Sequence, residues 1–143
     1  MFDKCLILKR KCMYKNVWSM QIVSQLFMGT GKIGPKLFLC VLMDYDSRMI
    51  LDYEFGSVNS DRLKQKLCRK AGLDAIPPAS RYVSAIFASL AAEEMSRYTY
   101  DDNEQRKESA SDWIDFYNNK RIHASLNYKT PKEVYAEKQK DRD

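Results

Sequence analysis

The side chains best able to do chemistry lie in the last third of the chain. This segment holds two adjacent bases, Lys120 and Arg121, and the one histidine of the sequence, His123. Lys and Arg contact phosphate groups without reading base sequence, so Lys120 and Arg121 are candidates for contacts with phosphate. Two alternatives stay open: Arg121 pairs with an acid such as Asp115 or Asp112, and His123 is a hydrogen-bonding scaffold residue.

A second set of candidate ligands is acidic and lies near the middle of the chain. Asp44 and Asp46 follow an apolar run, and Asp52 and Glu54 alternate with apolar residues soon after. Charged oxygens are the ligands that Mg²⁺ requires. Asp44 and Asp46 are better explained as turn residues that hydrogen-bond their own backbone. Asp52 and Glu54 are better explained as a solvated or sheet-covering face.

The cysteines and the apolar runs exclude several classes of protein. Cys5, Cys12, Cys40 and Cys68 form no Cys-x-x-Cys pair, so a structural zinc site is not expected. The longest apolar run, Leu37–Met43, is far shorter than the roughly 18 to 20 residues that span a bilayer. Because we also see no secretory signal at the start, we expect a cytoplasmic protein with no membrane partner.

Length, composition and charge predict one folded domain with a basic arm. The 143 residues are 45% apolar and 12% aromatic, and the net charge is +5, which is compatible with a polyanionic partner. Bases cluster in residues 1–15 and again in residues 59–74. We therefore assign residues 1–15 to a basic N-terminal arm and residues 16–143 to a single domain.

Hydrophobic periodicity predicts a sheet followed by helices. Alternation and one continuous apolar run predict three strands at residues 17–27, 36–43 and 48–55. Helical spacing, with starts at Asp61, Ser80 and Thr130-Pro131 and a stop at Ala71-Gly72, predicts helices over residues 61–71, 81–95, 103–118 and 131–140. The fold class is α/β, with a three-stranded antiparallel meander followed by helices. The order of the predicted elements leaves room for a fourth strand after the first helix. Such a strand would make the sheet a mixed one, with parallel and antiparallel pairs.

The segment from Trp113 to Pro131 closely resembles the end of the integrase core in DDE-type bacterial insertion-sequence transposases. That family typically ends in the pattern Tyr-Asn-x-x-Arg-x-His-x-x-Leu-x-Tyr-x-Thr-Pro, and every named position is filled from Tyr117 through Pro131. Shorter likenesses occur at Asn16-Val17-Trp18, in the turn from Asp44 to Ile50, at Ser80–Ser84 and between Met95 and Ser109. The resemblance runs from about residue 16 to 135, with gaps, and implies a ribonuclease-H-like (retroviral-integrase-like) fold with a mixed sheet.

The resemblance also implies a metal-dependent reaction on DNA. Two of the three positions at which the family has a metal-binding acid hold another residue type here. The family uses three carboxylates to hold two divalent metals, Mg²⁺ as a rule, at a scissile phosphodiester. The first position, three residues after Trp18, is Gln21, and the second, five residues before Tyr82, is Pro77. Only Glu108 matches, as the catalytic and metal-binding acid. The chain is also shortened after Lys70 and between Glu108 and Tyr117, so we expect a degenerate active site and a catalytically defective protein.

The same resemblance implies DNA as the partner. The residues expected to contact it are Arg97, Lys107, Lys120, Arg121, His123 and Lys129. A homo-oligomer, or a mixed oligomer with an intact transposase, is a further expected partner. The alternative function is a non-catalytic module that binds DNA or interacts with a transposase.

Overall fold

The structure, a computed structural model, describes residues 17–23, 37–44, 46–57 and 60–142 of the chain. The predicted basic arm at residues 1–15, with Cys5 and Cys12, lies outside the described residues, so the boundary at residue 16 stays a prediction. Within the described part, no helix is both long enough and apolar enough to span a membrane.

Three antiparallel strands form one sheet in the order β1-β2-β3. They are β1 (Val17–Val23), β2 (Phe38–Asp44) and β3 (Ile50–Gly56). In the register, Val41 of β2 lies opposite Gln21 on one side and opposite Tyr53 on the other. The third strand begins later than predicted, because Asp44 accepts hydrogen bonds from the Ser47 backbone N–H (3.0 Å) and from Ser47 Oγ (2.7 Å). These bonds close the β2–β3 turn and confirm the turn role predicted for Asp44.

The central strand β2 is buried on both faces, as its continuous apolar sequence predicts. All seven of its residues are buried. Leu39, Val41 and Met43 belong to one core, and Cys40 and Leu42 belong to a second core on the other face. Both faces of a strand can be buried in this way only if helices cover each side of the sheet.

In the part of the chain that the structure describes, four α-helices follow the sheet: α1 (Asp61–Ala71), α2 (Arg81–Leu90), α3 (Asn103–Asn119) and α4 (Pro131–Arg142). The larger core holds buried residues of α2 and α3, and the smaller core holds those of α1. A sheet followed by helices confirms the mixed α/β prediction. Among the described residues no parallel strand joins the sheet, and residues 73–80 are irregular, because Pro77 and Pro78 cannot donate to a sheet ladder.

The helix ends agree with the signals in the sequence, with one exception. Ser80 caps α2 by accepting a hydrogen bond from the Val83 N–H, and Gly72 ends α1 in the left-handed conformation at φ 80°. The helix predicted over residues 81–95 changes at Leu90 into a wider π-helical turn, Ala91–Met95. This turn carries two adjacent acids, Glu93 and Glu94, whose contacts are described below.

The acids of β3 face α1 and are neutralised by its bases. Lys70 Nζ lies 3.1 Å from Asp52 Oδ1 and 3.5 Å from Glu54 Oε2, and Lys66 Nζ lies 3.3 Å from Glu54 Oε1. The same contacts raise the pKa of the Lys70 ammonium, against the opposing effect of its partial burial. Asp52 and Glu54 therefore cover the sheet, as predicted from the sequence, and are not arranged as metal ligands among the described residues.

Candidate functional site

The end of α3 is fastened to the β2–β3 turn by two side chains of the C-terminal motif. Tyr117 Oη donates to the Arg48 carbonyl at 2.9 Å. Asn118 Nδ2 donates to the Ile50 carbonyl at 2.9 Å, and Asn118 Oδ1 accepts from the Ile50 N–H at 2.9 Å. Tyr117 and Asn118 are both buried. The first two residues of the motif therefore hold the helix against the sheet.

Arg121, the next motif residue with a charge, is held by the π-helical turn. Its Nη2 lies 2.9 Å from Glu93 Oε2, and its Nε donates to Glu93 Oε1 at 3.3 Å. Trp113 Nε1 donates to the same Oε1 at 3.3 Å. An ion pair was one of the two interpretations of Arg121 drawn from the sequence, and the pair is present. The predicted partners, Asp112 and Asp115, are wrong, because the partner is Glu93. Both of those acids lie on exposed positions of α3.

His123 lies in the loop between α3 and α4 and is partly buried. Its backbone N–H donates to the Lys129 carbonyl at 3.1 Å, and its carbonyl accepts from the Tyr128 N–H at 2.8 Å. Its ring meets the Tyr117 ring edge-on, with centroids 5.2 Å apart. Within the described chain, the buried Nε2 atom has no hydrogen-bond partner. Burial, followed by the charge of Arg121, lowers the pKa of His123, so the ring is neutral at neutral pH.

The motif closes with the start of α4. Thr130 Oγ1 accepts from the Glu133 N–H at 3.2 Å, while Glu133 Oε1 accepts from the Thr130 N–H at 3.3 Å and from Thr130 Oγ1 at 3.1 Å. This reciprocal arrangement is a capping box, and Pro131 occupies the first helical position, where its missing N–H costs nothing. The Thr-Pro pair of the motif thus starts the last helix, as predicted.

The six residues predicted to contact DNA lie in three parts of the chain, and Arg97 lies just after the π-helical turn Ala91–Met95. Lys120, Arg121, His123 and Lys129 lie in or beside the loop between α3 and α4. Lys107 lies in the first half of α3, roughly 20 Å along the helix from Lys120 at 1.5 Å per residue. Three of the bases already have carboxylate partners, the pairs being Lys107–Glu104, Arg121–Glu93 and Lys129–Glu137.

Glu108 lies on an exposed position of α3, at a shallow groove of about 320 Å³. Glu94 and Asp112 also line this groove. Glu94 Oε1 accepts a hydrogen bond from Ser109 Oγ at 2.7 Å, and the Ser109 hydroxyl also contacts Tyr100 Oη at 2.8 Å. Across the described residues, no group of three His, Cys, Asp or Glu side chains is arranged to hold a metal ion. The donor set around Glu108 therefore does not fit the Mg²⁺ that the resemblance implies.

The other two expected metal positions are placed as follows. The backbone of Gln21 pairs with β2 in the sheet, and its side chain lies outside what the structure describes. Pro77 lies in the irregular segment between α1 and α2, where its ring offers no oxygen ligand. Asp74, the nearest acid before Pro77, is exposed.

Several residues that organise this region were not among those predicted from the sequence. Glu93 joins Arg121 to Trp113, and nothing in its local spacing distinguishes it from Glu94. Asn118 pairs with both backbone groups of Ile50, and its place beside Tyr117 in the motif was a usable signal. Arg48 stands in the left-handed conformation at φ 63°, and its guanidinium lies over the Tyr82 ring at 3.8 Å.

Comparison with known proteins supports the interpretation of the last third of the chain. Residues 84–138 match the family model described as Integrase core domain. No curated protein and no solved structure matches the chain. The matched part runs from within α2 to within α4, and it includes Glu108 and the whole motif from Tyr117 to Pro131. The match covers the segment in which the C-terminal motif predicted an integrase core.

Proposed function

We propose that the protein is an integrase-core protein of the transposase type that binds DNA and no longer catalyses strand cleavage or transfer. The observation that carries the proposal is the set of side chains around Glu108. Glu108 lies in the matched integrase core sequence, but among the described residues no group of three His, Cys, Asp or Glu side chains is arranged to hold a metal ion. Gln21 and Pro77 at the other two expected positions support the same conclusion. Two-metal phosphodiester chemistry needs charged oxygen ligands.

A ribonuclease-H-like fold is part of this proposal. An antiparallel sheet is covered on one face by α1 and on the other by α2 and α3. This arrangement is compatible with the fold that the resemblance implies. The proposal also treats residues 16–143 as one domain, with residues 1–15 as a basic arm.

Catalysis can be tested directly with Mg²⁺ or Mn²⁺ and a labelled DNA duplex. We expect no metal-dependent strand cleavage or transfer and no rise in melting temperature on addition of either metal, since a bound ion would stabilise the folded state. Metal-dependent cleavage that Glu108→Ala abolishes would contradict the proposal. Glu104→Ala is the matched control, because Glu104 is another exposed acid on the same helix.

DNA binding is expected to depend on the bases that have no carboxylate partner. Arg97 and Lys120 are exposed and have no ion pair with a described residue, whereas Lys129 Nζ lies 2.7 Å from Glu137 Oε1. Lys120→Gln should therefore weaken duplex binding and lower the salt slope by about one. Lys129→Gln, the matched control, should weaken it less, because part of the Lys129 charge is already neutralised. Binding can be followed by fluorescence anisotropy at several salt concentrations.

An alternative function is that of a module which joins other transposase chains. The observation in its favour is that three large apolar side chains near the end of α3 and in the next loop are exposed: Phe116 is 42% exposed, Ile122 59% and Tyr128 71%. Where such side chains form a contiguous patch, the patch marks an interaction surface. If this function holds, light scattering should show a dimer or larger oligomer that Ile122→Ser weakens. A monomer at all concentrations, with no retention of an intact transposase, argues against it.

A further inference from the structure

The two faces of the sheet carry opposite charge. Helix α1 shares the smaller core with β2, through Leu63 and Leu67, whereas α2 and α3 pack on the other face of β2, together with Met95 and Tyr100 of the segment that connects them. The helix α1 has five bases and one acid, a net charge of +4. Residues 81–119, from the start of α2 to the end of α3, have four bases and eight acids, a net charge of −4. In the part of the chain that the structure describes, no ion pair joins the two sets.

The exposed side of α1 presents a row of bases. Arg62, Lys66 and Arg69 are exposed, and their spacings of four and three residues place them on one side of the helix. Lys66 Nζ lies 3.3 Å from Glu54 Oε1, whereas Arg62 and Arg69 have no ion pair with a described residue. The two arginines are seven residues apart, which is roughly 10 Å along the helix axis. Both arginines are therefore available to an anion that approaches from solvent.

The exposed side of α3 presents a row of acids instead. Four exposed acids recur at spacings of four, four and three residues, which place them on one side of that helix: Glu104, Glu108, Asp112 and Asp115. The base Lys107, within the same stretch, is paired with Glu104. A phosphate backbone that approached this row would meet like charges, which repel it at short range. The distribution of charge therefore favours the approach of a polyanion from the α1 side of the sheet.

We propose that the exposed side of α1 contacts the phosphate backbone of duplex DNA through Arg62 and Arg69, with the face that holds Glu108 turned away from the DNA. The inference rests on the proposed function, because it names the surface by which the protein binds DNA. Each strand of a duplex carries a phosphate about every 3.4 Å along the axis, so two arginines roughly 10 Å apart on one helix reach separate phosphates. Contacts of this kind position a protein without reading sequence. We therefore expect binding that does not depend on the DNA sequence.

The rival occupant of this surface is the row of acids on α3 of a second copy of the chain, which has the complementary charge. Density of charge favours DNA. A duplex carries a negative charge about every 1.7 Å of its axis, whereas the four acids from Glu104 to Asp115 are spread over roughly 16 Å of helix. Ion pairs between exposed side chains also contribute little to association. The experiment below makes self-association one of its outcomes.

Anisotropy of a labelled DNA duplex is measured at several salt concentrations for the unmodified protein and for double variants. Arg62→Gln combined with Arg69→Gln should weaken binding roughly tenfold or more at 0.1 M salt and lower the salt slope by about two. The matched control, Lys138→Gln combined with Lys140→Gln, removes the same charge from exposed positions of α4, which packs against α3, and should change the affinity less than about twofold. Arg62→Lys combined with Arg69→Lys keeps the charge and should retain most of the binding. Thermal melts check that each variant folds.

Each other outcome overturns the inference in a distinguishable way. If the unmodified protein binds no duplex, the proposed DNA binding fails and the assignment of its surface fails with it. If the duplex binds but the Arg62 and Arg69 variant loses no more affinity than the control, DNA binding stands and the assignment to α1 is wrong. Light scattering tests the rival occupant: an oligomer that dissociates in this variant, and equally in Glu108→Gln combined with Asp112→Asn, shows that α1 binds a second copy of the chain.

Discussion

Arg121 and Glu93 form a two-point ion pair that joins the loop after α3 to the π-helical turn after α2. The contacts are Nη2–Oε2 at 2.9 Å and Nε–Oε1 at 3.3 Å, between residues 28 positions apart in the chain. A fork of two parallel N–H donors facing one carboxylate is the strongest common geometry for such a pair. Arg121 therefore positions the loop that carries Lys120 and His123.

Removing this pair should destabilise the protein. Glu93→Ala leaves Arg121 without its carboxylate and Trp113 Nε1 without its acceptor, so we expect a loss of about 1–2 kcal/mol in the free energy of unfolding. Chemical denaturation measures this loss. In a double-mutant cycle, Glu93→Ala and Arg121→Ala should show a coupling energy of about 1 kcal/mol.

The Glu104–Lys107 pair on α3 is the matched control for that measurement. The Glu104 side chain is 82% exposed, and exposed pairs of this kind contribute little. Glu104→Ala should therefore change the free energy of unfolding by less than about 0.5 kcal/mol. Equal losses for the Glu93 and Glu104 variants would show that the Arg121 pair has no special role.

Asn118 should be among the most sensitive positions of the chain. Its side-chain amide satisfies both the N–H and the carbonyl of Ile50 at 2.9 Å in a buried site. Asn118→Ala leaves both backbone groups without a partner, and we expect a loss of about 2–4 kcal/mol. Asn118→Asp should cost at least as much, since it loses the donor and brings a charge into the core.

Asn119 provides the control for this prediction. It is exposed, and its Nδ2 donates to the Asp115 carbonyl within the same helix. Asn119→Ala should stay within about 0.5 kcal/mol of the unmodified chain in urea unfolding. The prediction for Asn118 is wrong if the two alanine variants unfold at the same urea concentration.

The titration of His123 should be visible without assignment, because the sequence contains one histidine. Burial and the charge of Arg121 lower its pKa, against the opposite effect of Glu93, so the midpoint should lie below the ordinary value of 6.5. Arg121→Gln removes a positive charge and should raise the pKa. An NMR titration of the imidazole signal measures both values, and a midpoint above 6.5 in the unmodified protein contradicts the prediction.

The same shift predicts how stability changes with pH. Because the folded chain binds this proton more weakly than the unfolded chain, His123 makes no difference to stability above about pH 6.5 and disfavours folding as the pH falls below it. The free energy of unfolding should therefore decline less between pH 7 and pH 5 in His123→Gln than in the unmodified protein. Parallel declines in the two proteins would show that His123 has the same pKa in both states.

The capping box at the start of α4 should contribute a measurable part of the stability. Thr130→Ala removes the Oγ1 that accepts from the Glu133 N–H at 3.2 Å, and we expect a loss of about 1 kcal/mol. Thr130→Ser keeps this oxygen and should restore most of the loss. Denaturant unfolding compares the three proteins, and an alanine variant as stable as the unmodified chain would count against the cap.

Much of the fold was predictable because its signals are local. The continuous apolar run of β2 predicted a strand buried on both faces, and all seven residues are buried. Ser80, Gly72 and the Thr130-Pro131 pair predicted helix ends, since a cap satisfies backbone groups within one turn of itself. The motif from Tyr117 to Pro131 predicted the family that residues 84–138 match.

The partners of the motif residues were not predictable in the same way. Tyr117 and Asn118 bind Arg48 and Ile50, which are 69 and 68 positions away, and Arg121 binds Glu93 instead of either acid beside it in sequence. Such pairings depend on how the sheet and helices pack, and on the wider turn that follows Leu90. Sequence patterns carry little information about either of these.

Local sequence patterns predicted most of the strands and helices and the family that the last third of the chain resembles. The partners of most charged side chains followed only from the packing of the folded chain. That packing left Glu108 on an exposed helix face, placed Asp52 and Glu54 beside the bases of α1, and brought Arg121 to Glu93. The physical reason is that secondary structure follows from contacts within a few residues, whereas charge, burial and hydrogen bonding at a site depend on groups brought together from distant parts of the chain.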